Sequence, residues 1–347
     1  SPPSSEPRQI YGRRQYAILL ASLALSVSIL ALLFAGSRSA DEKARWLKDD
    51  FPALEVTEIG SASGTAVAGA TPTAMRNALR IALSDYVAIR LFEGGARTIP
   101  DYRLSEKIEP SAAGFTQYLS LTEHASGRTL WSESFEAKTA EDARRNAFHA
   151  AFAISSPVGA ISSFERLKGY DVGTPYGCWL RFTEGVNAFN TIGDRLLENC
   201  AQSWSESDPG HPLAAFLYGW VLTDQSVRGL AARARKEKLN TALRTINRAL
   251  VAYPEYPLLH IAQMRAYGLT TDREQVFESA QNAIARTHSN RLIIGIAGSG
   301  FAFWNDPRGE AILRQLHEDS PTTLPIEHIG LFIAAMMRED LAAAGLE

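Results

Sequence analysis

The sequence has little cysteine and no excess of basic charge. Only two of its 347 residues are cysteine, so neither a disulfide-rich scaffold nor a cysteine-rich zinc site can form, and at most one bridge is available. Lysine and arginine total 35 against 38 acidic residues, which removes the basic surface that nucleic-acid binding requires. The chain is nevertheless 46% hydrophobic and long enough for two or three domains with real cores.

Motifs with the spacing of known catalytic or metal sites are also missing. The sequence contains no HExxH, Walker A, paired CxxC or GxSxG pattern. We therefore predict no catalytic activity, cofactor or metal site for these residues. Gly295, Gly298 and Gly300 have the spacing of a phosphate loop, but no strand precedes them, so helix packing is favoured.

One long apolar run is present. Residues 17–35, AILLASLALSVSILALLFA, carry no charge and have about the length of a transmembrane helix. Arginines precede the run at positions 8, 13 and 14, whereas acidic residues are mixed with the basic ones after it. The positive-inside rule then predicts a cytoplasmic N-terminus, with the bulk of the chain on the other side of the membrane. The alternative is a secretory signal peptide cleaved near Ser37–Ser39.

Residues 1–16 have the proline- and serine-rich composition of a linker. Since the chain starts at Ser1 and not at a methionine, we expect a cytoplasmic domain upstream of it. After the span, residues 36–53 are predicted to form a stalk, with a short helix over 41–53.

The next region, 54–168, is predicted to be a small α+β domain with two layers and an antiparallel sheet. Residues 73–92 carry apolar side chains at helical spacing, and residues 140–155 form a second amphipathic pattern. Strands are predicted at 54–59, 102–108, 115–122 and 129–135.

Part of this region resembles a known module. A Ser126-Gly127 turn is followed by Leu130-Trp131-Ser132 and then by Phe135. Over roughly residues 54–165 this order is similar to the TolB amino-terminal-like or FlgO-like module. In the families it resembles, that module stands outside the membrane, between a transmembrane helix and tetratricopeptide-like repeats. It occurs in CadC-like membrane transcription regulators and in some bacterial adenylate cyclases.

Residues 174–347 repeat themselves and contain no convincing strand. Ala242, Ile246, Ala249 and Pro254 have the 4, 3, 5 spacing that ends a tetratricopeptide unit. The same spacing recurs thirty-four residues later, from Val276 to His288, and forty-five residues earlier, from Leu197 to Pro209. The eleven additional residues of the longer interval predict an insertion, at 225–238. A fourth unit follows from Leu292, and residues 326–337 read as a terminal helix. An all-α tetratricopeptide-like solenoid is therefore predicted.

The inner helices of such a stack line a groove. Its candidate lining residues are Trp179, Phe182, Phe189, Phe216, Trp220, Asp224 and Arg265. One interpretation is that a protein or peptide partner binds these aromatic side chains. The other is that the α+β domain or the helix at 326–337 fills the groove from within.

Cys178 and Cys200 are predicted on the two helices of the first repeat. Counted from the connecting turn, they are offset by roughly 8 Å, more than the reach of about 7 Å between Cα atoms that a disulfide allows. The sequence is compatible with two states of Cys178 and Cys200: buried free thiols or a disulfide.

A basic cluster, Arg228, Arg233, Arg235, Lys236 and Lys238, lies in the insertion, and it is either a solvated face or a surface for anionic lipid or an acidic partner.

Together these patterns and the resemblance predict the sensor and membrane-anchor half of a single-span bacterial signalling protein. It would sit in the inner membrane with the bulk of the chain periplasmic, would not itself be an enzyme and could act as a homodimer. The resemblance implies a CadC-like transcription regulator, with a DNA-binding winged helix-turn-helix upstream of residue 1. The alternatives are the sensor of a membrane-bound nucleotide cyclase and a membrane-anchored tetratricopeptide scaffold for envelope assembly.

Overall fold

The computed structural model describes residues 51–58, 72–86, 89–92, 99–112, 114–156, 158–187, 193–228, 231–287, 290–318 and 325–337. The predicted linker at 1–16, the predicted span at 17–35 and the stalk up to residue 50 lie outside the described residues. Phe51 and Pro52 are buried and β1 begins at Ala53, so the predicted stalk helix does not include its last three residues.

A five-stranded mixed sheet forms the first part of the described chain. Its strands are β1 (Ala53–Glu58), β2 (Arg90–Phe92), β3 (Tyr102–Ser111), β4 (Gly114–Glu123) and β5 (Thr129–Ala137), in the spatial order β2-β1-β3-β4-β5. Strands β3 to β5 form the predicted antiparallel meander. The prediction of a wholly antiparallel sheet is wrong, because β1 pairs in parallel with both β2 and β3. A helix connects β1 to β2, and such a crossover returns the chain in the same direction.

Two helices cover this sheet: α1 (Pro72–Ser84) and α2 (Ala140–Ser155). Thr139 caps α2 in a reciprocal capping box with Asp142, and the apolar stripe of the predicted amphipathic pattern, including Ala143, Ala147 and Ala151, is buried. Helix α1 ends eight residues earlier than predicted, because the chain leaves it at Ser84 and enters β2. The amide of Arg90 donates to the carbonyl of Pro52 over 2.8 Å, and this hydrogen bond begins the pairing of β2 with β1.

The rest of the described chain is helical. Its helices are α3 (Ala160–Lys168), α4 (Pro175–Asn187), α5 (Arg195–Ser207), α6 (Pro212–Ser226), α7 (Ala232–Ala252), α8 (Pro257–Thr270), α9 (Arg273–Ala285), α10 (Arg291–Phe303), α11 (Pro307–Glu318) and α12 (Pro325–Met337). From α4 to α11 they pack as successive pairs, and α6 packs on α8 as α8 does on α10.

The positions used to align the repeats face inward. Leu197, Ala201 and Trp204 are buried on α5, and Ala242, Ile246 and Ala249 are buried at the same spacing on α7. Val276, Ala280 and Ala283 repeat the pattern on α9. Much of the insertion at 225–238 extends the start of α7, which is therefore 21 residues long.

The sheet unit and the helical region share one buried core. Phe51, just before β1, packs its ring edge-on against Tyr176 of α4 at 5.3 Å and lies 6.2 Å from the ring of Trp204 of α5. Tyr102 of β3 donates its hydroxyl proton to Glu165 of α3, and its ring meets Phe164 edge-on at 6.5 Å. Helix α3, which the sequence analysis did not predict, therefore joins the two regions.

Within the described residues, one helical stretch, 140–168, is long and apolar enough to cross a membrane. It consists of α2 and α3, and 53% of its most apolar 18 residues is buried in the protein. These properties fit core helices.

Candidate functional site

The predicted groove residues come together where α4, α6 and α8 meet. Trp179 and Phe182 lie on α4, and Arg265 lies on α8. Phe216, Trp220 and Asp224 occupy one stripe of α6, four residues apart. Phe189 is outside the described residues.

The four described aromatic residues form a closed cluster. The ring of Phe182 meets Phe216 at 5.7 Å and Trp220 at 5.6 Å, both in edge-on geometry, and Trp179 lies 6.1 Å from Phe182. Edge-on contacts at these distances are the favourable arrangement for aromatic rings. No more than 1% of any of these four side chains is exposed. They are core residues in this structure.

These four aromatic side chains are closed off in the described conformation, and binding of a protein or peptide partner to the helical region stays a prediction. A groove requires each inner helix to leave one face open. Helix α6 is apolar all round, and 13 of its 15 residues are buried. A helix of that composition is buried on every side. A peptide could reach the cluster only by separating the helices.

A buried ion pair stands against this cluster. Arg265 of α8 donates from Nη2 to a carboxylate oxygen of Asp224 and from Nη1 to the carbonyl of Trp220, the latter over 3.5 Å. Its guanidinium carbon lies 3.8 Å above the ring of Trp220. The side chains of Arg265 and Asp224 are 8% and 1% exposed. One arginine thus ties α8 to α6 by charge, by a hydrogen bond and by stacking.

The sequence analysis named both charged residues but not their pairing. They are 41 positions apart on two different helix pairs. The alignment of the repeats predicted that both residues lie on inner helices. It did not predict that either side chain would be buried.

Cys178 and Cys200 form a disulfide between α4 and α5. Their Cα atoms are 5.7 Å apart, so the offset of roughly 8 Å estimated from the sequence is wrong. That estimate assumed that both helices start level at their connection. Seven residues separate Asn187 from Arg195, which is enough chain for one helix to slide along the other.

A second polar cluster, which the sequence analysis missed, lies between the sheet and α1. Gln117 of β4 donates to Glu106 of β3 over 2.6 Å, and Arg76 of α1 donates to the other carboxylate oxygen over 3.2 Å. Arg76 also pairs with Glu58 at 2.7 Å. Burial raises the pKa of Glu106, although the hydrogen bonds from Gln117 and the charge of Arg76 act in the opposite direction.

A signal for this cluster was present in the sequence. Glu106 alternates with Leu104 and Ile108, so it occupies an inward-facing position of β3. An acidic residue at such a position requires a partner.

The glycines at 295, 298 and 300 lie inside α10, as the helix-packing interpretation predicts. A Cβ atom on Gly298 would lie 3.1 Å from Ile312 of α11, and one on Gly300 would lie 2.6 Å from the sulfur of Met264 of α8. These glycines allow close approach of neighbouring helices.

Among the described residues, no group of three or more histidine, cysteine, aspartate or glutamate side chains could hold a metal ion. No protein-family model matches the chain, and no curated protein matches it significantly. The site is thus a set of packed rings and paired charges.

Proposed function

We propose that the chain is the membrane-anchor and extracytoplasmic sensor half of a single-span bacterial signalling protein, with α4 to α12 forming a tetratricopeptide-like solenoid. The observation that carries this proposal is the disulfide between Cys178 and Cys200. Structural disulfides belong to oxidising compartments and are rare in the cytosol. The apolar run at 17–35 and the arginines before it support the same topology.

The path of the signal follows from the position of Phe51. This residue comes directly after the stalk and packs against Tyr176 of α4 and Trp204 of α5. The same two helices carry the disulfide. A partner that binds one arrangement of these helices better than another would shift Phe51, and with it the stalk that leads to the span.

The output of the proposed sensor is a CadC-like winged helix-turn-helix encoded upstream of residue 1. The resemblance over residues 54–165 supports this choice, and a nucleotide cyclase domain is the alternative output. A gene that encodes neither domain would favour the third candidate, an anchored scaffold, which the stacked helix pairs also suit.

The redox state of the two cysteines in living bacteria tests the proposed location. Cells that express the natural full-length protein are quenched in acid, and the protein is denatured and treated with a maleimide-linked polyethylene glycol. We expect no gel shift before reduction and a shift of two labels after it. A Cys178→Ser, Cys200→Ser variant controls for labelling elsewhere.

Two labels without prior reduction would place the cysteines in a reducing compartment and overturn the proposal. A phosphatase or a green fluorescent protein fused after Glu347 gives an independent measurement. Phosphatase activity supports the topology. Fluorescence contradicts it, because green fluorescent protein does not fold when it is exported by the general secretory route.

A further inference from the structure

The start of α7 carries positive charge that the described structure does not neutralise. Arg233, Arg235, Lys236 and Lys238 lie in its first seven residues, with Glu237 as the only acidic residue among them. The first three are exposed and Lys238 is half-buried. Within the described part of the chain, none of these four side chains forms an ion pair or a hydrogen bond.

This arrangement works against the helix that carries it. The amino-terminal end of a helix has a partial positive charge and favours acidic side chains. Helix α7 has no acidic residue in its first turn, and its N-cap residue, Ala231, provides no side-chain hydrogen bond. The four cations therefore reduce the stability of the isolated helix, and an anionic surface would relieve their repulsion.

Two apolar side chains are exposed close to the segment that leads into α7. Val227, just before α7, and Leu196, in the first turn of α5, are both exposed, at 39% and 56%. The ion pair between Arg228 and Glu198, at 2.5 Å, holds the start of α5 beside the segment that leads into α7. Cations flanked by exposed apolar side chains are typical of surfaces that contact phospholipid headgroups.

The chain itself would bring this surface to a membrane. Phe51, where the tether from the apolar run ends, contacts Trp204 near the carboxyl end of α5. Leu196 lies eight residues earlier on the same helix, which corresponds to ~12 Å along its axis. Residues 36–50 can span up to ~50 Å when extended. The basic start of α7 is thus well within reach of the bilayer surface.

We propose that the basic start of α7 docks on the anionic phospholipid headgroups of the membrane that the chain's own apolar run crosses. This inference rests on the proposed membrane anchorage. Docking would hold the helical region against the bilayer, and release would free α5 and Phe51 to move.

The test measures the accessibility of lysines in the full chain reconstituted in nanodiscs. Discs of phosphatidylcholine are compared with discs that also contain phosphatidylglycerol, and acetylation of single lysines is followed by mass spectrometry. At low salt we expect Lys236 and Lys238 to react more slowly in the anionic discs, by about fivefold for each cation that engages. High salt should abolish the difference, while Lys107 on the sheet should react equally in both discs.

Two charge-matched variants separate the surface from net charge. Arg233→Glu, Arg235→Glu should abolish the protection of both lysines. Arg80→Glu, Arg248→Glu changes the net charge equally at exposed positions elsewhere and should retain it. Equal loss in both variants, or equal reactivity in both discs, would overturn the inference. If Lys236 and Lys238 were protected in neutral discs but not in anionic ones, an acidic protein surface would be their partner, and this result would also overturn the inference.

Failure of the anchorage gives a different result. A chain that elutes free of the neutral discs contradicts the proposed span. Adding phosphatidylglycerol vesicles to that free chain then still measures docking through Lys236 and Lys238, and unchanged reactivity there contradicts the docking itself.

Discussion

The sheet unit and the helical region each bury a carboxylate beside an arginine, and they do so in different ways. In the sheet unit, Glu106 is buried but its partner Arg76 is 26% exposed and also pairs with the exposed Glu58. In the helical region, Asp224 and Arg265 are both almost completely buried. The first pair lies at the edge of a core, and the second lies within one.

This difference determines what each pair can do. Removing one member of a buried ion pair leaves the other charge without compensation, which costs far more than the pair contributes. Arg76 keeps a partner and contact with water if Glu106 changes, whereas Asp224 pairs with no other cation among the described residues. The helical pair therefore enforces one packing of α6 on α8, and the sheet pair only adjusts stability.

The largest effect is expected for Arg265→Ala. It leaves Asp224 buried without its cation and removes the stacking on Trp220, so we expect a loss of about 3–5 kcal/mol in the free energy of unfolding. Urea unfolding of the detergent-solubilised protein, followed by tryptophan fluorescence, measures it.

The exposed Arg244 provides the control, since Arg244→Ala should change the free energy by no more than about 0.5 kcal/mol. The double variant Asp224→Leu, Arg265→Met should recover most of the loss. A loss below about 1 kcal/mol for Arg265→Ala would show that the pair is not the tie between α6 and α8.

A smaller loss of stability is expected for Gly219→Ala, at the contact between α6 and α7. A Cβ atom at Gly219 would lie 2.6 Å from Cγ1 of Ile246, so Gly219→Ala overpacks this contact. We expect a loss of about 1–3 kcal/mol in the free energy of unfolding. In an Ile246→Ala background the cost of the Gly219 substitution should disappear, because its clashing atoms are gone.

Gly268 of α8 is the matched control, because a Cβ there would meet nothing within 4 Å. Gly268→Ala should stabilise the protein by about 0.5–1 kcal/mol through helix propensity alone. Equal effects at the two glycines would contradict close packing at Gly219.

The repeat spacing predicted the buried stripes of α5, α7 and α9 because each helix pair meets similar neighbours, so local pattern and packing agree there. The predicted strands at 102–108 and 129–135 extend a few residues further in the structure, and helix 140–155 matches α2.

Sequence reasoning failed where a distant partner determines the conformation. Residues 90–92 continue a helical apolar pattern, yet their pairing with β1 makes them a strand, and three residues are too few to show alternation. The sliding of α4 along α5, which brings Cys178 to Cys200, likewise depends on packing that spacing does not encode. The burial of Arg265 depends on a stack of helices from several repeats, whereas Glu106 could be recognised from its own strand.

The smallest effect is expected for Glu106→Gln, and its sign depends on pH. Burial raises the pKa of Glu106 above its ordinary value of 4.5, so the folded protein binds this proton more tightly than the unfolded chain does. The resulting stability is complete below about pH 4.5 and is lost as the pH rises through the folded-state pKa. The variant cannot bind the proton, so the difference in unfolding free energy between the natural protein and Glu106→Gln should fall as the pH rises across that range.

Urea unfolding at several values between pH 4 and pH 8 measures this slope, with Glu109→Gln, at a position of the same strand whose side chain is 46% exposed, as the control. Near neutral pH the substitution itself should cost little, because Arg76 keeps Glu58 and the new amide can donate to Oε1 of Gln117, which has no donor among the described residues. An unchanged slope would mean that Arg76 and Gln117 offset the burial of Glu106 completely. A loss as large as that of Arg265→Ala would remove the distinction between a charge pair at the edge of a core and one within it.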